Sequence, residues 1–270
     1  MDKSGSPPIS HADAASEVTL WINGHVAEIG LSNGPLNLVT RALLRSFNKA
    51  IDALEAQADL RCVIVHGGSA RAFCAGSDIK EFAEIFADAS EKKILFEDMV
   101  LRRLARLPAP TIAAMDGPAL GGGLELALAC DLRVCRAEVV LGLTESRLGG
   151  LAGNGSLRLT RLIGPARAKE MLFTGNTISA QQALAWGLVN RIAETGAALE
   201  TARALALEIC ARGPLSNRLA KQLVDAAQDQ PLDAALSLST VVQQRIFDSH
   251  DLHEGVAAFF AKREPEFLAR

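Results

Sequence analysis

The chain has 270 residues, 49% of them apolar and 22% charged, with a formal net charge of −3. That length and apolar content allow a sizeable core, as one large domain or one domain plus an appendage. The interspersed charges give no basis for binding nucleic acid or an acidic membrane surface, and no apolar run approaches the roughly 18 residues of a membrane-spanning helix.

In chain order, residues 1–16 are small and polar, lack the apolar segment of a secretory signal, and read as a disordered tail. From Val18 to Leu31, β-formers flank Asn23-Gly24, a dipeptide suited to a type I′ hairpin turn. Leu38 to Leu54 has helical spacing, with Leu43, Leu44, Phe47, Ile51 and Leu54 mostly on one face. Cys62-Val63-Ile64-Val65 reads as a buried strand that ends at His66-Gly67-Gly68. Ile79 to Ala87 and Ile94 to Leu107 read as helices, the second stopped by Pro108 and Pro110. Thr111 to Met115 is another short strand, closed by Asp116-Gly117. Gly121-Gly122-Gly123 then opens a helix that runs to Cys130, and Leu132 to Leu143 returns to extended character. Ala197 to Cys210, Pro214 to Ala227, Pro231 to Phe247 and Leu252 to Lys262 are all helical patterns, with Pro214 and Pro231 in first turns. This recurrence predicts an α/β core of sheets stacked against helices, followed by an all-helical section.

Other chemistries find little support. The five cysteines are odd in number, scattered in apolar settings and without metal spacing, so they read as reduced thiols in a cytoplasmic protein. An organelle interior is the alternative if a transit peptide was removed. His250 and His253 could share a helix face, but no further ligand completes a metal site. His66 reads as a satisfied core histidine. The glycine triplet lacks the context of a dinucleotide site, there is no phosphate-binding G-x-x-x-x-G-K-[ST] loop, and the absence of tyrosine removes that proton donor.

Two glycine loops carry the positive signal. Three successive glycines let a backbone approach a ligand closely, and a helix start presents free N–H groups with a partial positive charge. Upstream, Ala72 to Ile79 also joins a strand to a helix. Two such loops are what a two-donor oxyanion hole requires, although each alone is equally an ordinary turn. Glu125, one turn into its helix, and Glu145, twenty residues on, add two carboxylates. Taken singly, a first-turn glutamate that satisfies the helix dipole would look the same.

The string Phe73-Cys74-Ala75-Gly76-Ser77-Asp78-Ile79-Lys80, with Ala114-Met115-Asp116-Gly117-Pro118-Ala119-Leu120-Gly121-Gly122-Gly123-Leu124-Glu125-Leu126-Ala127 after it, resembles the enoyl-CoA hydratase/isomerase (crotonase) superfamily. The likeness continues through Cys130-Asp131, Gly142, Glu145, Leu148-Gly149, Leu157-Arg158-Leu159, Thr174-Gly175, Ala180 to Val189 and Phe259 to Glu266. It covers about residues 18 to 267. The resemblance implies a crotonase-like spiral of repeated β-β-α units over residues 17–196, which holds an acyl-CoA site. It also implies a helical segment, 197–270, that assembles a homotrimer or a dimer of trimers.

Residue by residue, the resemblance implies an oxyanion hole made by the backbone N–H groups of Ser77 and Gly122, and catalytic Glu125 and Glu145. It places coenzyme A against Pro35, Leu36 and Asn37 and against Ala75, Gly76, Asp78 and Gly121. Phe259 and Lys262 would reach the nucleotide from a neighbouring subunit, a core Phe and a solvated Lys being the plainer reading of those two. The implied reaction is hydration of an α,β-unsaturated acyl-CoA, with coenzyme A as part of the substrate and no separate cofactor. Double-bond isomerisation, dehydration of a functionalised acyl-CoA and non-catalytic acyl-CoA binding are the alternatives. Several positions depart from the family pattern: Ser77 replaces a commoner alanine, and Thr144 and Ala152 replace prolines. Gly153 stands where some relatives carry an acid and leaves room for water. No basic residue occupies Ser32-Asn33-Gly34, and the polar Asn154 leaves chain preference open.

Overall fold

The computed structural model describes the backbone of residues 9–11 together with residues 17–194 and 197–270. The main sheet contains β1 (Ile9–His11), β2 (Val18–Asn23), β3 (Val26–Leu31), β4 (Cys62–His66), β5 (Thr111–Met115), β7 (Leu132–Arg136) and β10 (Arg191–Ala193), in that spatial order. The pairs β1–β2 and β2–β3 are antiparallel, and every pairing from β3 to β10 is parallel. A second sheet joins β6 (Ala119–Leu120), β8 (Val140–Gly142) and β9 (Ile178–Ser179).

Parallel strands covered on both faces read as continuous apolar runs, and β4 and β5 do so because each face has its own cover. On one face Val63, Val65, Ala113, Met115 and Cys135 meet the apolar stripes of α1 (Arg41–Glu55) and α3 (Leu95–Ala105). On the other, Cys62, Ile64, Ile112, Ala114 and Val134 meet Ala198, Ala202, Leu205 and Ala206 of α8 (Ala198–Cys210). Small alanines on α8 let the helix lie close to the sheet. Its first turn is held by Asp116, whose carboxylate accepts the N–H of Ala198 at 2.6 Å. A boundary at residue 196 therefore does not divide the molecule: α8 belongs to the core, and its pattern alone could not reveal which surface it covers.

Three other expectations change. Within the segment read as a disordered tail, Ile9–His11 pairs with β2, while residues 1–8 and 12–16 lie outside the described residues. The β2–β3 hairpin pairs Asn23 with Val26, so its loop is Gly24-His25. Positive φ occurs at Gly24 but not at His25, which is the type II′ pattern and not type I′. The helix read from Ile79 to Ala87 is shorter, α2 (Ile79–Ala83), and a π-helical turn, Ser90–Ile94, leads into α3.

Asn37 fixes the segment beside the first glycine loop. It is fully buried in the left-handed region, φ 49°, and its Nδ2 donates to the carbonyls of Gly67, Ala72 and Phe73 at 2.8–3.2 Å. Its Oδ1 accepts the N–H of Asn33. Each buried polar group left without a partner costs about 1–3 kcal/mol. Asn37→Ala is therefore expected to lower stability in urea denaturation by about 3 kcal/mol, and loss of less than about 1 kcal/mol would contradict this assignment.

The remaining helices are α4 (Gly122–Leu128), α5 (Gly153–Ile163), α6 (Pro165–Thr174), α7 (Ala180–Trp186), α9 (Pro214–Asp229), α10 (Leu232–Phe247) and α11 (His250–Ala261). The C-terminal residues fold back along α11, where the Asp251 carboxylate accepts the N–H groups of Leu268 and Ala269. No helix among the described residues is long and apolar enough to cross a membrane.

Candidate active site

The two glycine loops lie side by side. Residues 74–78 run between the 36–39 segment and the strand at Ala119: Ala75 N–H donates to Leu36, Asp78 N–H to Val39, and Leu120 N–H to Cys74. Parallel bridges join Val39 to Ser77 and Cys74 to Ala119. This zipper uses the amides on either side of Ser77. The N–H of Ser77 itself, like that of Gly122, donates to no described residue.

Glycine is required where the loops touch. Gly76 has φ +106° and Gly121 φ +52°, both strained for any side chain. A Cβ at Gly122 would stand 3.6 Å from Ser77 N and 3.2 Å from Ser77 Oγ. The first residue of α4 and the Ser77 amide therefore face one small volume, as two hydrogen-bond donors aimed at one oxygen would.

Glu125 lies inside this cluster, 8% exposed, on a helix whose residues are all buried. Gly155 donates its N–H to Glu125 Oε1 at 2.6 Å. A Cβ at Gly155 would press on the Glu125 side chain, so the small residue admits the contact. Burial raises the Glu125 carboxyl from 4.5 to about 7, the Gly155 bond opposes this, and Glu97, Glu145 and Asp98 add repulsion. Glu145 begins a 3₁₀ turn, Glu145–Leu148, and its Oε1 would be 3.1 Å from a Cβ at Gly121. Its Oε2 is buried with no partner among the described residues, and burial pushes its pKa up. Glu125 can thus hold or release a proton near neutrality, and Glu145 holds its proton above the ordinary carboxylate range.

Sequence reading missed a third acid. Glu97, on α3, is 6% exposed, and its Oε1 lies 3.5 Å from the position a Gly122 Cβ would take. Burial raises its pKa to about 6, Lys93 opposes, and Asp98 and Glu145 add to the rise. Lys93 is 0% exposed; its Nζ donates to Val39 O at 2.7 Å, lies 3.7 Å from Glu81 Oε2 and sits over the Phe82 ring. The visible signal was positional: 97, 100, 101 and 104 form one helical stripe, and the other three are Val, Leu and Leu.

Asn154 turns out to be tied on both sides. Its Nδ2 donates to Asp98 Oδ1 at 3.0 Å and its Oδ1 accepts from Arg158 Nε at 2.6 Å. Nothing lies within 4 Å of where a Gly153 Cβ would be.

Among the residues expected to meet coenzyme A, Pro35, Leu36 and Asp78 line a cleft of about 330 Å³ together with Asn33, Gly34, Leu38 and Thr40. The buried Asn37 side chain is spent on the loop carbonyls and does not face that cleft. Phe259, 77% exposed, and Lys262, the left-handed cap of α11, have no hydrogen bond or ion pair to either glycine loop among the described residues. His66 accepts the N–H of Gly68 at Nδ1, and burial lowers its pKa, which fits the core reading. All five cysteines are free thiols, and burial raises each of them.

The model of the enoyl-CoA hydratase/isomerase family matches residues 22–270. A putative enoyl-CoA hydratase of Thermus thermophilus is 39% identical over 248 residues, covering 90% of this chain and 98% of the relative. The mitochondrial methylglutaconyl-CoA hydratase of Rattus norvegicus is 37% identical over 236 residues, covering 86% and 75%. Among solved structures, an enoyl-CoA hydratase from Bacillus anthracis superposes with a TM-score of 0.90 at 34% identity, over 94% of this chain and 100% of that one. With the paired glycine loops and the fold already described, these matches make the chain a member of the enoyl-CoA hydratase/isomerase family, with the crotonase fold.

Proposed function

We propose that the protein hydrates an α,β-unsaturated acyl-CoA thioester. The observation that carries this reading is the convergence of the buried Glu125 and of Glu145, whose Oε2 is buried, on the paired loops whose Ser77 and Gly122 amides donate to no described residue. The thioester oxygen takes both N–H groups, which stabilise the negative charge that develops as the enolate forms; one such donor is typically worth about 10²–10³ in rate. Glu125 holds water and accepts its proton as oxygen adds to C3, and Glu145 delivers a proton to C2. Burial raises both carboxyls, Glu125 to about 7, which favours a pair that shares a proton. Coenzyme A arrives as part of the substrate, along the cleft at Pro35, Leu36 and Asp78, and no further cofactor enters the scheme.

The test is an assay of crotonyl-CoA hydration beside isomerisation of a 3-enoyl-CoA. Hydration is expected; double-bond migration without hydration would replace this reading with an isomerase. Gly122→Pro removes one donor and is expected to lower kcat by about 10²-fold or more, with a smaller change in binding of a saturated acyl-CoA. Equal loss of both would mean that the variant misfolds.

Assembly belongs to the same proposal. Leu236, Val241, Phe247, Phe259 and Phe260 on α10 and α11 are exposed apolar residues, which favours a homotrimer or a dimer of trimers that buries them. Light scattering that gives a monomer would refute it. The absence of a candidate membrane helix among the described residues and the bacterial and mitochondrial relatives support a cytoplasmic or organelle-interior location.

A further inference from the structure

Beside the hole, the wall formed by α3 and α5 is polar. Ser77 Oγ and Glu97 Oε1 both come within 3.5 Å of one point over Gly122, and neither is hydrogen-bonded to a described residue. Behind them, Asn154 donates to Asp98 and accepts from Arg158, and none of the three is hydrogen-bonded to Glu97 among the described residues. Lys93, the nearest cation in sequence, donates to Val39 O and acts on Glu97 through its charge, without a hydrogen bond to it. Buried polar groups are rarely left unpaired, because each costs about 1–3 kcal/mol. An alkyl chain against this wall would bury Glu97 and Ser77 Oγ still further with nothing to bond them. A hydroxyl answers both at once, donating to one and accepting from the other.

We propose that Glu97 and Ser77 Oγ form a specificity subsite that selects an acyl-CoA whose chain carries a hydroxyl near the thioester, over an unsubstituted alkyl chain. The inference deepens the acyl-CoA reading above and rests on it. Neither residue takes part in the proton transfers assigned to Glu125 and Glu145 through these side-chain atoms; the subsite decides which substrate is seated. Because C3 is the carbon that is hydrated and a hydroxyl on the C2=C3 double bond would be an enol, the selected hydroxyl lies on C4. Burial raises the Glu97 carboxyl to about 6 against the opposing charge of Lys93.

The test measures binding of saturated ligands by calorimetry, so that it does not depend on which reaction the enzyme performs. Butyryl-CoA is compared with 2-hydroxybutyryl-CoA and 4-hydroxybutyryl-CoA on the wild-type protein, Glu97→Leu and Ser77→Ala. 4-Hydroxybutyryl-CoA is expected to bind about tenfold more tightly than butyryl-CoA to the wild type, as one hydrogen bond to a charged or buried group allows, with 2-hydroxybutyryl-CoA as the positional control. The preference is expected to vanish in Glu97→Leu, with butyryl-CoA bound as well as before or better, and to shrink in Ser77→Ala, which keeps the backbone donor. A wild type without preference, or a preference that survives Glu97→Leu, would overturn the proposal. If Glu97→Leu does not fold, survival of the full preference in Ser77→Ala would do so. Failure of every acyl-CoA to bind would instead overturn the acyl-CoA reading itself.

Discussion

Glu125→Gln is expected to lower kcat for hydration by about 10³-fold while making the folded protein more stable at alkaline pH. The two effects have one origin. Burial, aided by repulsion from Glu97, Glu145 and Asp98, raises this carboxyl from 4.5 to about 7. Below pH 4.5 it is neutral in the folded and unfolded chain alike, and it carries no penalty. As pH rises from there toward 7, the unfolded carboxyl ionises and the folded one resists, so stability declines; above 7 the decline is complete. At about 1.4 kcal/mol per pH unit this amounts to roughly 3 kcal/mol. Glutamine has nothing to ionise, and its carbonyl still accepts the Gly155 N–H. The gain in Tm of the variant should therefore be present at pH 8 and absent near pH 4. A gain independent of pH would mean that the carboxyl is not held neutral by its surroundings. Full activity in the variant would remove Glu125 from the reaction.

The features that were legible in the sequence are those set by local chemistry. Glycine runs at strand–helix junctions, Pro214 in the first turn of α9 and the apolar runs of β4 and β5 each have a short-range cause, and each lies where it was read, whereas Pro231 stands one residue before its helix, as the cap of α10. What was not legible depends on which surface an element faces. The pattern of α8 gave a helix but not the sheet face beneath it, which is set by strands far away in sequence. Glu97 looked like one more charge on an amphipathic helix, since no local rule says that its stripe turns inward against Gly122. Asn37 passed as backbone near a ligand, although its side chain bonds carbonyls thirty and more residues away. In the same way Asn154 was visibly unusual, but only the fold could supply Asp98 as its partner.

Gly123→Ala sets a local preference directly against such a distant contact. By helix propensity alone, alanine inside α4 should stabilise by about 1 kcal/mol. The fold opposes this, because an added Cβ would be driven into the carbonyl group of Cys74, on the first glycine loop. That carbonyl is rigid backbone and already accepts the Leu120 N–H at 3.0 Å, so it cannot turn aside without breaking the zipper between the loops. Overpacking of this kind costs about 1–3 kcal/mol or more, so the expected net change in urea denaturation is a loss of about 2 kcal/mol. Separation of the loops also misplaces Ser77 relative to Gly122, and an error of about 1 Å in such a site costs about 10²-fold in rate. Gly153→Ala is the matched control, since nothing lies within 4 Å of its added methyl and it opens α5. That variant should keep full stability or gain up to about 1 kcal/mol. If Gly123→Ala were as stable and as active as Gly153→Ala, the loops could not be locked together through Cys74, and the shared hole would lose its structural basis.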